Sequence, residues 1–133
     1  SEYWSKNGVS TPKTWLLDRG VPWKKHPFPV VVKPRDGVGS QATQLIPVGG
    51  EFPEELLPWK GDFIVQDYVQ GVAASVSFLC GTNQSLPLLP FSQILSTDGT
   101  FQYQGGEVLD SSLRERAFQL ASRALEGISG LLG

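Results

Sequence analysis

The chemistry in this sequence is concentrated in a lysine at the end of a short apolar run that leads into glycines: Val30-Val31-Val32-Lys33-Pro34-Arg35-Asp36-Gly37-Val38-Gly39-Ser40-Gln41. Lysine supplies a compact positive charge. Glycines let backbone N–H groups approach phosphate oxygens and adopt unusual dihedral angles. A triphosphate suits that arrangement, although a Lys-Pro-x-Asp-Gly stretch also occurs as an ordinary solvated turn, so the pattern alone leaves both readings open. Residues 37–42 match the dinucleotide fingerprint G-x-G-x-x-A, but that fingerprint needs a strand running straight into the first glycine and a helix beginning in the loop. Residues 33–36 intervene and residues 43–47 read as extended chain closed by Pro47, so the match is rejected. The spacing G-x-x-x-x-G-K-[ST] of the P-loop is absent from the sequence.

Other reactive side chains are explained by packing or solvation. Trp4, Trp15, Trp23 and Trp59 have no basic residues interleaved at a spacing that would make a stacking platform, so they are assigned to core or loop packing. His26 stands alone between Lys25 and Pro27 and is expected to face solvent. Cys80, in the apolar run 76–80, is expected to be a small buried hydrophobe. As the sole cysteine it cannot close an internal disulfide, which favours a reducing compartment. Glu51, Glu54 and Glu55 suit the start of a solvated helix, where carboxylates meet the positive end of the helix dipole. Glu107 and Asp110 do not make a catalytic pair, since Asp110 suits the lead-in to a helix. No nucleophile and base are paired, and no catalytic or metal-ligating residue is assigned.

The elements that must position the lysine follow from periodicity and breakers. Residues 1–7 are expected to end a helix, with Gly8 as the stop, and residues 9–17 to include a short edge strand. Residues 20–29, with Pro22, Pro27 and Pro29, form a loop. The β-branched run 30–32 predicts a strand buried on both faces. Residues 34–41 should leave it as a mobile loop, because proline lacks a ladder donor. Residues 43–46 read as a return strand, 53–57 as a short helix and 63–69 as another buried strand. The apolar stretches 74–79 and 86–95 flank a turn at 81–85 and predict an antiparallel hairpin, and Asp98-Gly99 marks a further turn. From residue 112 the period becomes helical: Leu113, Ala117, Leu120, Ala121, Ala124, Leu125 and Ile128 share one face. Ser112 with Glu115 predicts a capping box, and Gly130 and Gly133 are the expected stops.

Composition bounds the answer. A chain of 133 residues with 40% hydrophobic content has material for one core-bearing folding unit. Lys and Arg total 11 against 13 for Asp and Glu, which argues against nucleic acid or anionic lipid as a partner held by charge. No apolar stretch reaches the roughly 20 residues of a membrane helix, and the N-terminus lacks a signal-peptide pattern, so a cytoplasmic protein is expected. Met is absent, which suggests a piece of a longer protein.

Taken together, the motifs resemble the ATP-grasp superfamily. Residues 30–40 look like its lysine strand and flexible glycine loop, and Gly8-Val9-Ser10-Thr11-Pro12 looks like its G-[IV]-x-[TV]-P segment. Residues 63–71 look like the hinge between its lobes. Ser75-Val76-Ser77 and Tyr103-Gln104-Gly105-Gly106 are closest to segments of the tyramine-glutamate ligase group. The resemblance implies an α+β fold: a small ATP-binding lobe at 1–66, and a hinge with part of the large lobe at 67–133. It implies that Lys33 contacts the α and β phosphates and that Gly37, Gly39, Ser40 and Gln41 close over them. At the hinge, Gln66 would face the adenine amino group, Asp67 and Val69 would offer backbone groups to the base, and Tyr68 would also belong to the nucleotide site.

By the same resemblance the parent protein is an ATP-dependent carboxylate-amine ligase using magnesium, with small-molecule carboxylate and amine substrates. Two departures matter. Ala73 stands nearest the place of a family glutamate that holds the ribose, with Asp67 or Gln70 as substitutes. The family's magnesium ligands follow the helix expected at 112–130, so they fall outside the chain, which is expected to be incomplete at both ends and inactive alone. The alternatives are a non-catalytic nucleotide-binding module with this fold, supported by Ala73, and an unrelated α+β interaction domain.

Overall fold

The computed structural model describes the whole chain except Ser1, Arg19, Val21, Asn83, Gly127, Ser129, Leu132 and Gly133. The expected stop at Gly133, Asn83 of the turn at 81–85 and Ser1 of the first helix therefore lie outside the described residues. The order is α1 (Glu2–Lys6), β1 (Thr14–Leu16), β2 (Val30–Pro34), β3 (Gln44–Ile46), a 3-10 turn (Glu54–Leu56), β4 (Phe63–Asp67), β5 (Ala74–Ser75), β6 (Phe78–Cys80), β7 (Ser85–Pro87), β8 (Phe91–Leu95), β9 (Tyr103–Val108) and α2 (Ser111–Leu125). The class is α+β, as the motifs imply. Contacts divide the chain into two compact units: residues 12–70 with 95–103, and residues 1–11 with 71–94 and 104–133.

The first unit is built on a four-stranded sheet in the order β1-β4-β2-β3, antiparallel at each pairing. Alternation puts Val30 and Val32 of β2 and Phe63 and Val65 of β4 on one face, all at 0% exposure, with Ile46 and Leu56 closing the same core. Fully burying such a side chain stabilises by roughly 1.5–3 kcal/mol. Trp15, Leu17, Trp23, Phe52 and Trp59 pack around this core. The two strands read as buried on both faces are in fact buried on one: Val31, Lys33, Ile64 and Gln66 are only partly covered. An antiparallel sheet needs only a single packed layer, and a run of three valines does not reveal which face is covered.

Strand β2 also runs one residue further than expected, pairing Pro34 with Phe63. Pairing with β3 ends at Val32, and Arg35 N–H closes the ladder beyond by donating to the Asp62 carbonyl at 2.9 Å, so the proline leaves no gap. His26 departs from the expectation of a solvent-facing ring. It is half-buried, with its centroid 5.3 Å from Trp15 and 5.1 Å from Trp23. The indole of Trp23 donates to the Gly50 carbonyl at 3.0 Å, which pins this aromatic group over the core.

The second unit holds the expected hairpin, with a step in it. Cys80 faces Ser85 and Phe78 faces Pro87, whereas Ser75 faces Phe91 and Ala74 faces Ser92. One extra residue is therefore absorbed around Leu89 and Pro90, a bulge that divides the ladder into β6-β7 and β5-β8-β9. Cys80 is only partly buried on β6. Helix α2 is capped by Asp110, not by a Ser112–Glu115 box. The Asp110 carboxylate accepts from Ser112 N–H at 2.9 Å, and the Ser112 hydroxyl, the backbone bond and nearby Arg114 hold its pKa below the usual carboxylate value. Two residues earlier than the expected cap, aspartate satisfies an orphan donor of a first turn that starts at Ser111. The helix ends at Leu125, short of the expected Gly130, which has φ +78. Helix α1 ends before Gly8, whose φ of +74 accepts the left-handed turn expected there.

Candidate functional site

The open face of the four-stranded sheet forms the floor of a cavity of about 430 Å³, whose lining includes Val31, Lys33, Gly37, Ser40, Gln41, Gln66, Asp67, Tyr68 and Val69. That volume lies within the roughly 300–1,000 Å³ typical of small-molecule sites. Every residue proposed for the site from sequence lines it except Gly39, which contributes a φ of +60 to the turn between Gly37 and Ser40. All of these residues belong to the first unit.

Register brings the two polar anchors together. Lys33 stands opposite Ile64, and Gln66 is the next residue on the same face of β4. Such diagonal neighbours are about 7–8 Å apart at the backbone, within reach of long side chains. Lys33 Nζ donates to Gln66 Oε1 at 3.0 Å. Burial pushes the Lys33 pKa below the ordinary lysine value. Among the described residues its ammonium has no carboxylate at ion-pair distance; the ion pairs are Lys25 with Glu51 and Arg35 with Asp62. A partly desolvated cation without a counter-charge, on a cavity wall, is suited to receive an anion.

The glycine loop is shaped by left-handed residues. Ser40 has φ +59 and Ala42 φ +46, costing about 1–2 kcal/mol each for residues with a Cβ. Strain of this kind persists only where surrounding contacts impose it. Those contacts come from the tip of the β8-β9 hairpin. Ser40 Oγ donates to the Phe101 carbonyl at 2.7 Å, Gln102 Nε2 donates to the Ser40 carbonyl at 3.3 Å, and Leu45 N–H donates to the Gly99 carbonyl at 2.8 Å. Asp98 organises the tip by accepting from Thr100 N–H at 2.9 Å, from the Thr100 hydroxyl at 2.6 Å and from the Ser96 hydroxyl at 2.8 Å. These bonds, that from the Thr100 hydroxyl foremost, lower the Asp98 pKa to about 2.

Phe101 was not foreseen as a site residue. Itself left-handed at φ +55, it lines the cavity with its ring centroid 6.0 Å from that of Tyr68, giving the cavity an aromatic wall. The Asp98-Gly99 turn was legible in the sequence, but nothing local says what that turn packs against. Pro12, Val31, Pro34 and Thr43 complete the lining and were likewise not singled out as site residues. At the hinge segment, Asp67 and Tyr68 spend their N–H groups on the Lys13 and Pro29 carbonyls, at 2.9 and 3.1 Å. Among the described residues no backbone carbonyl takes the Val69 N–H, which leaves it as a donor at the cavity edge. Asp67 Oδ1 is a buried oxygen without a hydrogen-bond partner.

Among the described residues no group of three or more His, Cys, Asp or Glu side chains is placed to hold a metal ion, so this donor set does not fit a magnesium site of its own. No described helix is long and apolar enough to cross a membrane.

Comparison with known proteins gives a coherent result. A family model described as the ATP-grasp domain matches residues 3–133. Among solved structures, the VanG D-Ala:D-Ser ligase from Enterococcus faecalis superposes with a TM-score of 0.66 at 18% sequence identity. The match covers 94% of this chain and 42% of that one, so the chain spans less than half the length of the ligase it resembles in fold. The comparison with curated proteins returned no match.

Proposed function

The chain belongs to the ATP-grasp family, and from that premise we propose that the cavity around Lys33 holds ATP for a ligase that joins a carboxylate to an amine. The observation that carries this reading is the half-buried Lys33 ammonium, with no carboxylate at ion-pair distance among the described residues, on the wall shared by the glycine loop and the hinge segment. Lys33 would meet the α and β phosphates, with backbone amides of residues 37–41 around them. The adenine would lie along residues 66–69, with Gln66 and the Val69 N–H as polar contacts and Tyr68 and Phe101 as the aromatic wall. The ribose falls to Asp67 or Gln70, the substitutes for the glutamate that Ala73 replaces.

In the reaction proposed for the whole protein, a substrate carboxylate oxygen attacks the γ-phosphorus and ADP leaves, forming an acyl phosphate. The amine nitrogen then attacks the acyl carbon, phosphate departs and the nitrogen loses a proton, leaving an amide. The contribution of the present residues is positional and electrostatic: they hold the nucleotide and balance its charge. Magnesium, which would supply further positive charge to the phosphates, would need ligands beyond the described residues. We place the protein in the cytoplasm, with ATP and small molecules as its partners, and with neither nucleic acid nor membrane among them.

Calorimetric titration with ATP tests the site. Hydrogen bonds to charged groups contribute about 1.5–3 kcal/mol, so Lys33→Ala should weaken ATP binding by roughly 10- to 100-fold. An unchanged dissociation constant in that variant would refute the assignment.

A further inference from the structure

Four residues of the first unit form one directional chain of hydrogen bonds. Lys33 Nζ is 3.0 Å from Gln66 Oε1, Gln66 Nε2 is 2.7 Å from Thr14 Oγ1, and Thr14 Oγ1 is 3.0 Å from the Pro12 carbonyl oxygen. Thr14 is the direct cross-strand partner of Gln66 between β1 and β4, so sheet register sets this meeting. The chemistry of the two ends sets its direction. A lysine ammonium has only donors and a backbone carbonyl only accepts. The single hydroxyl hydrogen of Thr14 goes to Pro12, so toward Gln66 it can present only a lone pair. Gln66 must therefore turn an N–H to Thr14 and its oxygen to Lys33. The reverse orientation would set an NH2 against an ammonium and an oxygen against a hydroxyl whose proton is already committed. The amide orientation, ordinarily a matter of assignment, is here imposed by its neighbours.

This has a consequence for the base. A free glutamine amide flips and serves a donor or an acceptor equally well. A held amide cannot. Gln66 lines the cavity, and its oxygen keeps a second acceptor site beyond the Lys33 contact. We propose that Thr14 is a specificity-determining residue: by holding the Gln66 amide it makes that side chain an acceptor at the 6-position of a purine, selecting a 6-amino base over a 6-oxo base. The proposal rests on the reading of this cavity as a nucleotide site, with position 6 of the base against Gln66. A 6-oxo purine would set its carbonyl oxygen against Oε1, leaving two acceptors face to face. Thr14 touches no substrate. It is a positioning residue acting through Gln66, which explains why a threonine outside the cavity lining bears on what enters.

The test compares calorimetric titrations with ATP and with inosine triphosphate, which differ at position 6. The protein as it stands should prefer ATP by about tenfold or more, the usual effect of leaving a buried polar group unpaired. Thr14→Val preserves shape and removes the hydroxyl. With the Lys33 ammonium drawn to the phosphates of the bound nucleotide, Thr14 is what holds the amide, so its loss should lower that preference to about threefold or less as the freed amide turns its NH2 toward the oxo group. Thr14→Ser should retain the preference. Adding Gln66→Glu to the valine variant should restore it, because a carboxylate accepts in either orientation; a merely structural role for Thr14 predicts no such rescue. An ATP preference that survives Thr14→Val at full size, or is missing from the unsubstituted protein while both nucleotides bind, overturns the role of Thr14 and leaves the nucleotide site standing. Failure to bind either nucleotide overturns the site itself, and this proposal with it.

Discussion

The two units make contrasting use of similar apolar content. In the unit of residues 12–70 and 95–103, Val30, Val32, Phe63 and Val65 are fully buried and the aromatic group around Trp23 is layered over them. Among the described residues of the other unit, burial of hydrophobic side chains is confined to Val9, Leu109 and Pro90, while Leu79, Leu86, Leu89, Phe91, Ile94 and Leu120 are between 44% and 60% exposed. The difference lies in layering. A sheet face or helix stripe becomes core only when a second layer covers it, and β5 to β9 with α2 leave much of theirs open. The candidate site lies wholly in the well-packed unit, which provides the rigid floor that a positioned lysine and a held amide need.

Substitutions in each unit would break or sharpen this contrast. The largest effect is expected in the covered core: Phe63→Ala should cost about 3–5 kcal/mol in denaturant unfolding. Leu120→Ala, on the half-exposed face of α2, should stay within about 0.5 kcal/mol. Similar losses from the two would mean that the units are packed alike, and the contrast would fail.

Gly99→Ala comes next. Gly99 has φ +87, and an added Cβ would lie 2.9 Å from Gln44 Nε2 and 3.4 Å from Leu45 Cβ. A loss of about 1–2 kcal/mol is expected from the left-handed backbone. The hairpin tip belongs to the well-packed unit, so the loss should register in the fluorescence of Trp15, Trp23 and Trp59. No loss of stability would show that the tip is not held against β3.

The smallest expected effect is a slope with pH. Because burial lowers the Lys33 pKa, the folded state releases this proton at a lower pH than the unfolded chain does. Below the folded value both states are protonated and the desolvation cost is present in full. As pH rises through the folded value toward that of an ordinary lysine, the unfolded state holds more protons and stability rises. Denaturant unfolding across the alkaline range should show a shallow gain that Lys33→Met abolishes. A fall common to both proteins would place the ammonium in solvent.

Much of the local structure was legible from residue types. The presence of strands at β2 and β4, though not which face of each is covered, the positive φ of Gly8 and the helical period after residue 112 come from short-range sterics and burial pattern, which act within a few residues. The departures have long-range causes. His26 carries no local signal of the indoles that enclose it. The cap depended on which of two polar side chains, Asp110 or Ser112, reached the first turn. The step at Leu89 and Pro90 appears only when two strands are set against each other.

The same division holds at the site. Sequence alone determined which groups are on offer: one lysine after three valines, a pliant loop with glycines, and a hinge segment beginning with an amide. The tertiary structure decided what they meet. Lys33 reaches Gln66 because antiparallel register makes them diagonal neighbours, Thr14 reaches Gln66 because it stands directly opposite, and Phe101 enters the cavity because a distant hairpin tip is clamped to Ser40. Residue identity is a local property, whereas strand register is settled by the whole sheet finding the pairing that buries its apolar face.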